Sequence, residues 1–358
     1  MNPSLPPAQK PASLNRIPEC IMPDEPLVSI CIPTYNRAGM ISQAIESALS
    51  QTCRHIEVIV IDNASTDTTA AVVGSFADER LKYIKNERNL GLFGNFNRCI
   101  DVARGKYLHI LHSDDYIDPD FTATCVTFFK NYPSVVMTST RTRMVGDGFE
   151  KDIPGSDTDM VYPAPEGFRR LLATRSFISC PSVMVRRDIY EEIGPFLLEY
   201  PYSSDYYQWL KIARNYDIGF VSGAFVFYRV GEHSETFRFM FSSPLGYQDM
   251  LRMFIQVQAD LGTDLDRYSV ELLAAQRRFI HDCIFAGFTR WDTMAGFSPM
   301  VFIGFSLTCW TLEKPVSLSG WLGKIRDLLI ILPAGLLMSC SLSRRMVTSL
   351  FFSRKEGY

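Results

Sequence analysis

The sequence predicts an α/β protein: a mixed, mainly parallel sheet flanked by helices, followed by an α-helical appendage. Three observations lead there. From residue 27 to about residue 111, apolar runs of strand length alternate with segments of helical spacing. The main strand runs each close on a polar loop, which is how a parallel sheet gathers its functional loops on one edge. Beyond about residue 239 the alternation stops and helical apolar spacing takes over.

The elements follow in order. Residues 1–26 are rich in Pro and Ser, carry no secretory signal and read as a loose tail. Leu27–Ile32 is a buried-strand run that Pro33 ends, and the turn Thr34-Tyr35-Asn36-Arg37 leads into a helix. Met40, Ile41, Ala44, Ile45, Ala48 and Leu49 recur at helical spacing, so one face of that helix packs on the sheet. Ile56–Ile61 is a second strand, running into Asp62-Asn63-Ala64-Ser65-Thr66-Asp67. A helix over about 68–76, a strand at Leu81–Ile84, the turn Asn89-Leu90-Gly91 and a helix around 95–103 complete the pattern. Gly105 opens the next strand, Tyr107–Leu111, and two adjacent carboxylates, Asp114 and Asp115, follow it. Val135–Ser139 is a further strand, residues 147–165 read as a loop, and Phe220–Tyr228 is the last strand.

Composition excludes several function classes. The 358 residues suit about two domains, and 47% apolar with 21% charged residues is the balance of a globular chain with a large core. A net charge of −3 makes no electrostatic case for nucleic acid. Nine cysteines scattered singly argue against a zinc site or a disulfide framework and for a reducing, cytoplasmic setting. No GxGxxG follows the first strand, no GxxxxGK[ST] occurs, and there is no GxSxG. Dinucleotide dehydrogenases, P-loop enzymes and α/β-hydrolases are set aside accordingly.

The Asp114-Asp115 pair carries the chemistry. Paired carboxylates suit a hard divalent cation, which can in turn hold a diphosphate; taken alone, the pair reads equally as an ordinary turn before Asp118-Pro119. The surrounding motifs add to this. Val28 to Arg37, Ser47-Ala48-Leu49-Ser50-Gln51-Thr52, Ile59 to Asp67, Asn89-Leu90-Gly91, and Ala103 to Tyr107 ahead of Ser113-Asp114-Asp115 stand in one order. That order resembles the family-2 glycosyltransferases.

The resemblance implies a GT-A fold, which is Rossmann-like, over residues 27–238, and an inverting transfer from a nucleotide-diphosphate sugar. It places Pro33, Thr34, Tyr35, Arg37 and Asp62 against the donor's nucleoside, with Asp62 on the base. Asn89 and Asn97 shape the same pocket, although both suit turn or cap roles equally well. Asp114 would lie near the ribose and Asp115 on the metal, Mg²⁺ or Mn²⁺. Three residues depart from the pattern: His112 stands where Asp is commoner, Phe96 where many members carry Arg, and Ser204 where the helix-start motif has its first acid. Downstream, Ser204-Asp205-Tyr206-Tyr207-Gln208-Trp209-Leu210 resembles the family's acidic helix start, which makes Asp205 the expected catalytic base; its bland reading is a helix N-cap. His233, in the loop after the last strand, sits where the family often has a histidine that closes over the diphosphate or metal.

The chemistry explains the residue types. Displacement at an anomeric carbon needs a base for the acceptor hydroxyl, and the departing diphosphate needs its gathering charge neutralised. The expected acceptor is a glycan or a lipid-linked sugar of cell-surface polysaccharide or glycolipid assembly. Residues 239–358 read as the helical appendage. Thr293–Leu312 and Leu328–Ser343 lack charge, and Arg344, Arg345, Arg354 and Lys355 follow. Buried helices, helices in the membrane interface and true spans all remain open there, with peripheral contact on the inner membrane face the functional expectation. Two other functions compete: a non-catalytic nucleotide-sugar or membrane-interaction module, which would bind donor without turnover, and a sugar nucleotidyltransferase, which would release pyrophosphate.

Overall fold

The computed structural model describes residues 26–153, 155–174, 178–232, 234–241, 245–272, 274–275 and 278. The chain divides into two compact units, Met1–Ser234 and Glu235–Tyr358.

In the first unit the strands are β1 (Val28–Thr34), β2 (Ile56–Asp62), β3 (Leu81–Lys85), β4 (Tyr107–Ile110), β5 (Tyr116–Ile117), β6 (Val135–Gly146), β7 (Phe149–Asp152), β8 (Met160–Tyr162), β9 (Val183–Arg186) and β10 (Asp217–Arg229). They form one sheet in the order β3-β2-β1-β4-β9-β6-β10-β5, with β7 on β6 and β8 on β10. The first four pair in parallel, as their alternation with helices requires. Antiparallel pairing enters at β9, which joins β4 to β6 and so carries the sheet into its second half.

The helices are α1 (Ile41–Leu49), α2 (Thr69–Gly74), α3 (Leu92–Val102), α4 (Phe121–Asn131), α5 (Glu166–Ala173), α6 (Ile189–Ile193) and α7 (Ser204–Asn215). In α1 the buried residues are Ile41, Ala44, Ile45 and Ala48, the stripe expected from their spacing. They join Val28, Ile30, Ile32, Val58 and Val60 in one core, each large side chain contributing roughly 1.5–3 kcal/mol by leaving water. α3 begins at Leu92, earlier than the apolar spacing suggests. Gly91, at φ 78°, makes the sharp entry turn that lets it do so. Gly105 is required by space: a Cβ there would stand 2.5 Å from the Ser29 backbone nitrogen.

The segment 147–165, expected as a loop, contributes β7 and β8. β7 folds back on β6 through Gly146 to Phe149, and Arg143 holds Asp152 at 2.6 Å across that pair. A polar, glycine-containing hairpin has no apolar alternation to betray it, because β7 is exposed along Phe149–Lys151 and the end of β6 that faces it is only half-buried.

In the second unit α8 (Leu245–Leu261) buries Met253, Phe254, Val257 and Leu261 along one stripe. Among the described residues no helix is long and apolar enough to cross a membrane. Residues 1–25, Thr293–Leu312 and Leu328–Ser343 lie outside the described residues.

Candidate active site at the strand ends

In register, Thr34 pairs with Asp62 at the ends of β1 and β2, and Cys31 with Ile110 near the end of β4. The three polar loops therefore leave one edge of the sheet together. Side chains from one loop hold the next. Asn36 Oδ1 accepts from the Thr66 backbone N–H at 2.9 Å, and Asp67 accepts from the Ala38 N–H at 3.1 Å while also capping Thr69. Burial works against the Asp67 charge, but these donors outweigh it and hold its carboxyl below the ordinary value. Ala64 turns this loop at φ 65°, a region L-residues other than Asn and Asp seldom occupy.

Several expected donor contacts are engaged within the protein. Asp62 is fully buried; its Oδ1 accepts from the Ser65 N–H at 2.7 Å and its Oδ2 from the Tyr83 hydroxyl. Asn89 belongs to an asparagine network. Asn63 Nδ2 donates to Asn89 Oδ1 at 2.9 Å, Asn86 Nδ2 donates to Asn95 Oδ1 at 2.8 Å, and Asn63 Oδ1 receives the Leu90 N–H at 2.8 Å. Asn97 clasps a peptide 99 residues away: its amide donates to the Phe196 carbonyl and accepts from the Phe196 N–H, both at 2.9 Å. By contrast, Tyr35 is 44% exposed at the edge, and the Thr34 hydroxyl is buried with no hydrogen-bond partner among the described residues. Pro33, expected to end the strand, lies within β1 opposite Ile61, with Thr34 still in register beyond it, and the Arg37 N–H bonds Thr69 Oγ1 at 3.1 Å.

The centre of the site is the turn His112–Asp115. Asp115 is 0% exposed, and its Oδ1 accepts from the Arg229 N–H at 2.8 Å. Its Oδ2 accepts no hydrogen bond and faces His112 Nδ1 at 3.4 Å. Burial, with the charge of Asp114 beside it, pushes the Asp115 carboxyl up to about 6 against the opposing pull of His112. Burial disfavours a charged His112, but the carboxylates of Asp115, Asp114 and Asp205 outweigh it and raise its pKa. Ligand atoms of His112, Asp114 and Asp115 all lie within 4.8 Å of one another. An unsatisfied buried carboxylate oxygen in such a cluster fits a divalent cation better than it fits a turn, where both oxygens would normally be paired.

Asp205 occupies the first turn of α7, with its Oδ1 taking the N–H of Tyr206 at 2.7 Å. Burial pushes its carboxyl up to about 6, while the Tyr206 N–H, His112 and the Cys180 thiol favour the charged form. Asp205 and His112 thus act on each other although they are 93 positions apart. The aromatic group of Phe93, Phe96, Phe196 and Trp209, with ring centroids 5.4–5.9 Å apart, ties α3 to α7 and sets this approach. His233 lies outside the described residues.

Sequence reasoning missed Arg229. Its guanidinium holds the Asp114 carbonyl and, at 3.1 Å, the Met40 carbonyl, while its backbone N–H holds Asp115. The available signal was a cation closing an apolar strand directly before the His233 loop. Cys180, whose thiol bonds Asp205, carried no such signal.

Comparison with known proteins agrees with this arrangement. A profile of glycosyl transferase family 2 matches residues 29–194. The chain is 30% identical over 216 residues to WfgD of Escherichia coli, a UDP-Glc:alpha-D-GlcNAc-diphosphoundecaprenol beta-1,3-glucosyltransferase, covering 59% of this chain and 80% of that protein. Coverage of other relatives is lower: the chain spans 40% of an uncharacterized Mycobacterium tuberculosis protein that it matches at 35% identity. Among solved structures, S. aureus TarS (residues 1–349, with UDP-GlcNAc) superposes with a TM-score of 0.60 at 21% identity, over 80% of this chain and 82% of that one. The mannosyltransferase PcManGT of Pyrobaculum calidifontis, bound to GDP-Man and Mn²⁺, gives 0.52 at 17% identity over 93% and 90%. These structures share the GT-A fold with a chain that, by its sequence, belongs to the family-2 glycosyltransferases.

Proposed function

We propose that the protein transfers a sugar, with inversion, from a nucleotide-diphosphate donor to a hydroxyl of a glycan or lipid-linked acceptor in cell-surface polysaccharide or glycolipid assembly. The observation that carries this reading is a half-buried carboxylate, Asp205, held near neutral pKa within electrostatic reach of the His112–Asp115 cluster. A base of that pKa is ionised at neutral pH yet basic enough to take the acceptor proton. Among the described residues the other carboxylates of the cluster, Asp114 and Asp115, are taken by the cation site, which leaves one base and favours a single displacement.

Asp115 and Asp114 would hold the divalent cation. When bound, it neutralises charge on the departing diphosphate. Arg229 keeps Asp114 and Asp115 in place, and the loops bearing Pro33, Thr34, Tyr35 and Arg37 would receive the nucleoside. The Tyr83 hydroxyl, on the edge strand β3, bonds Asp62 and would have to turn away for Asp62 to meet the base. WfgD's diphosphoundecaprenol-linked acceptor supports a lipid-linked acceptor and peripheral membrane contact for this chain too.

The test is a panel of UDP-, GDP- and dTDP-sugars with a polyprenyl-diphosphate-linked acceptor, in Mg²⁺ or Mn²⁺, reading nucleoside diphosphate release and anomeric configuration. One donor should give product of inverted configuration, and both Asp205→Asn and Asp115→Asn should lower turnover at least a hundredfold. Retained configuration, or full turnover by Asp205→Asn, would overturn the mechanism.

A further inference from the structure

Two of the departures from the family pattern, His112 and Phe96, meet in space: their rings lie 5.6 Å apart. Phe96 is 1% exposed and fixed by Phe93 at 5.4 Å and Phe196 at 5.6 Å. An arginine at position 96 would suit an acidic neighbour; a phenylalanine seats an imidazole. The seat matters because His112 Nδ1 lies 3.4 Å from Asp115 Oδ2, the fully buried oxygen that accepts no hydrogen bond. The other ring nitrogen, Nε2, is buried and has no hydrogen-bond partner among the described residues. The Nδ1 edge of the ring and the orphaned Asp115 oxygen thus face each other within one turn.

We infer that His112 is itself a ligand, so that His112, Asp114 and Asp115 make a mixed nitrogen–oxygen centre that takes Mn²⁺ in preference to Mg²⁺. The inference rests on the reading of this turn as a cation site. Ligands about 2.1 Å from a shared ion stand about 3 Å apart when cis and just over 4 Å when trans. The 3.4 Å between His112 and Asp115 therefore needs an adjustment of a few tenths of an ångström to become a cis pair. Mg²⁺ prefers hard oxygen ligands and gives up water reluctantly, whereas imidazole suits first-row transition ions. Replacing the commoner Asp by His also removes one negative charge from the ligand set, which weakens binding most for the ion whose affinity is purely electrostatic.

The experiment uses the full chain labelled with ¹⁵N-histidine, loaded with Mn²⁺ alone and with Mn²⁺ plus UDP. Pulsed EPR reads histidine nitrogen coupled to the bound Mn²⁺, and continuous-wave EPR reads its displacement by Mg²⁺. The expected result is a histidine coupling that disappears in both His112→Asp and His112→Gln. The Mn²⁺ over Mg²⁺ preference should also fall at least tenfold in His112→Asp. Two variants guard against one that fails to fold, and far-UV circular dichroism checks each. Mn²⁺ that binds in an Asp115-dependent way without nitrogen coupling would overturn the inference and leave the cation site standing. Absence of bound Mn²⁺ in either condition would overturn both, and sugar transfer persisting in EDTA would then show that the transfer reading survives without them.

Discussion

Replacing Asp205 by Asn should stabilise the protein while abolishing its turnover, and the structure sets the size of the effect. Burial raises this carboxyl from 3.8 to about 6. A group raised in the folded state stabilises below its unfolded value and loses that contribution as pH climbs through its folded one. At pH 8 the ionised Asp205 therefore costs about 2 pKa units at 1.36 kcal/mol each, or roughly 3 kcal/mol, and about half of that at pH 5. Because the side chain keeps partial solvent access, a gain of about 1–3 kcal/mol is expected from Asp205→Asn at pH 8, shrinking toward pH 5. Asn retains an oxygen for the Tyr206 N–H, so the swap leaves the local hydrogen bond in place. Urea unfolding in EDTA at pH 5 and pH 8 measures the difference. In the wild type, kcat/KM should rise with pH to a plateau above about 6. A variant that is less stable at pH 8, or whose stability change is the same at both pH values, would refute the claim that this carboxylate is held charged at a cost for catalysis.

Three further outcomes follow from the site's construction. Ala64→Gly should raise stability by about 0.5–1 kcal/mol, since Ala64 sits at φ 65° where glycine is unstrained; a shift of the urea midpoint at constant slope checks it. Asn97→Ala should cost about 1–3 kcal/mol through loss of both Phe196 hydrogen bonds. Because Gln208 of α7 also holds Gly194 in that segment, the kinetic loss should fall on kcat, and a raised donor KM at unchanged kcat would return Asn97 to donor binding. Arg229→Lys cannot reproduce a fork that holds the Asp114 and Met40 carbonyls, so about tenfold more Mn²⁺ should be needed for half-maximal turnover.

What could be read directly from the chain were features that repeat over short distances. The spacing of Ile41, Ala44, Ile45 and Ala48 located a helix face, and the run Tyr107–Leu111 located a strand, because periodicity reports burial on one side of an element. The order of motifs likewise pointed to the family and to the GT-A sheet. The polar hairpin of β7 was not legible, since its partner and not its own pattern makes it a strand.

Within the site, residue types and the family resemblance put Asp114, Asp115 and Asp205 forward as chemistry and marked His112 as a departure. Tertiary structure decided what they touch. It brought His112 against Phe96 and turned two departures from the pattern into one packed pair. It set Asn97 on the Phe196 peptide, engaged both oxygens of Asp62, and introduced Arg229 behind the carboxylates. The physical reason is common to all of them. A side chain's role at this edge depends on which partner satisfies its polar atoms, and those partners lie as far as 189 positions away along the chain, beyond the reach of any local pattern.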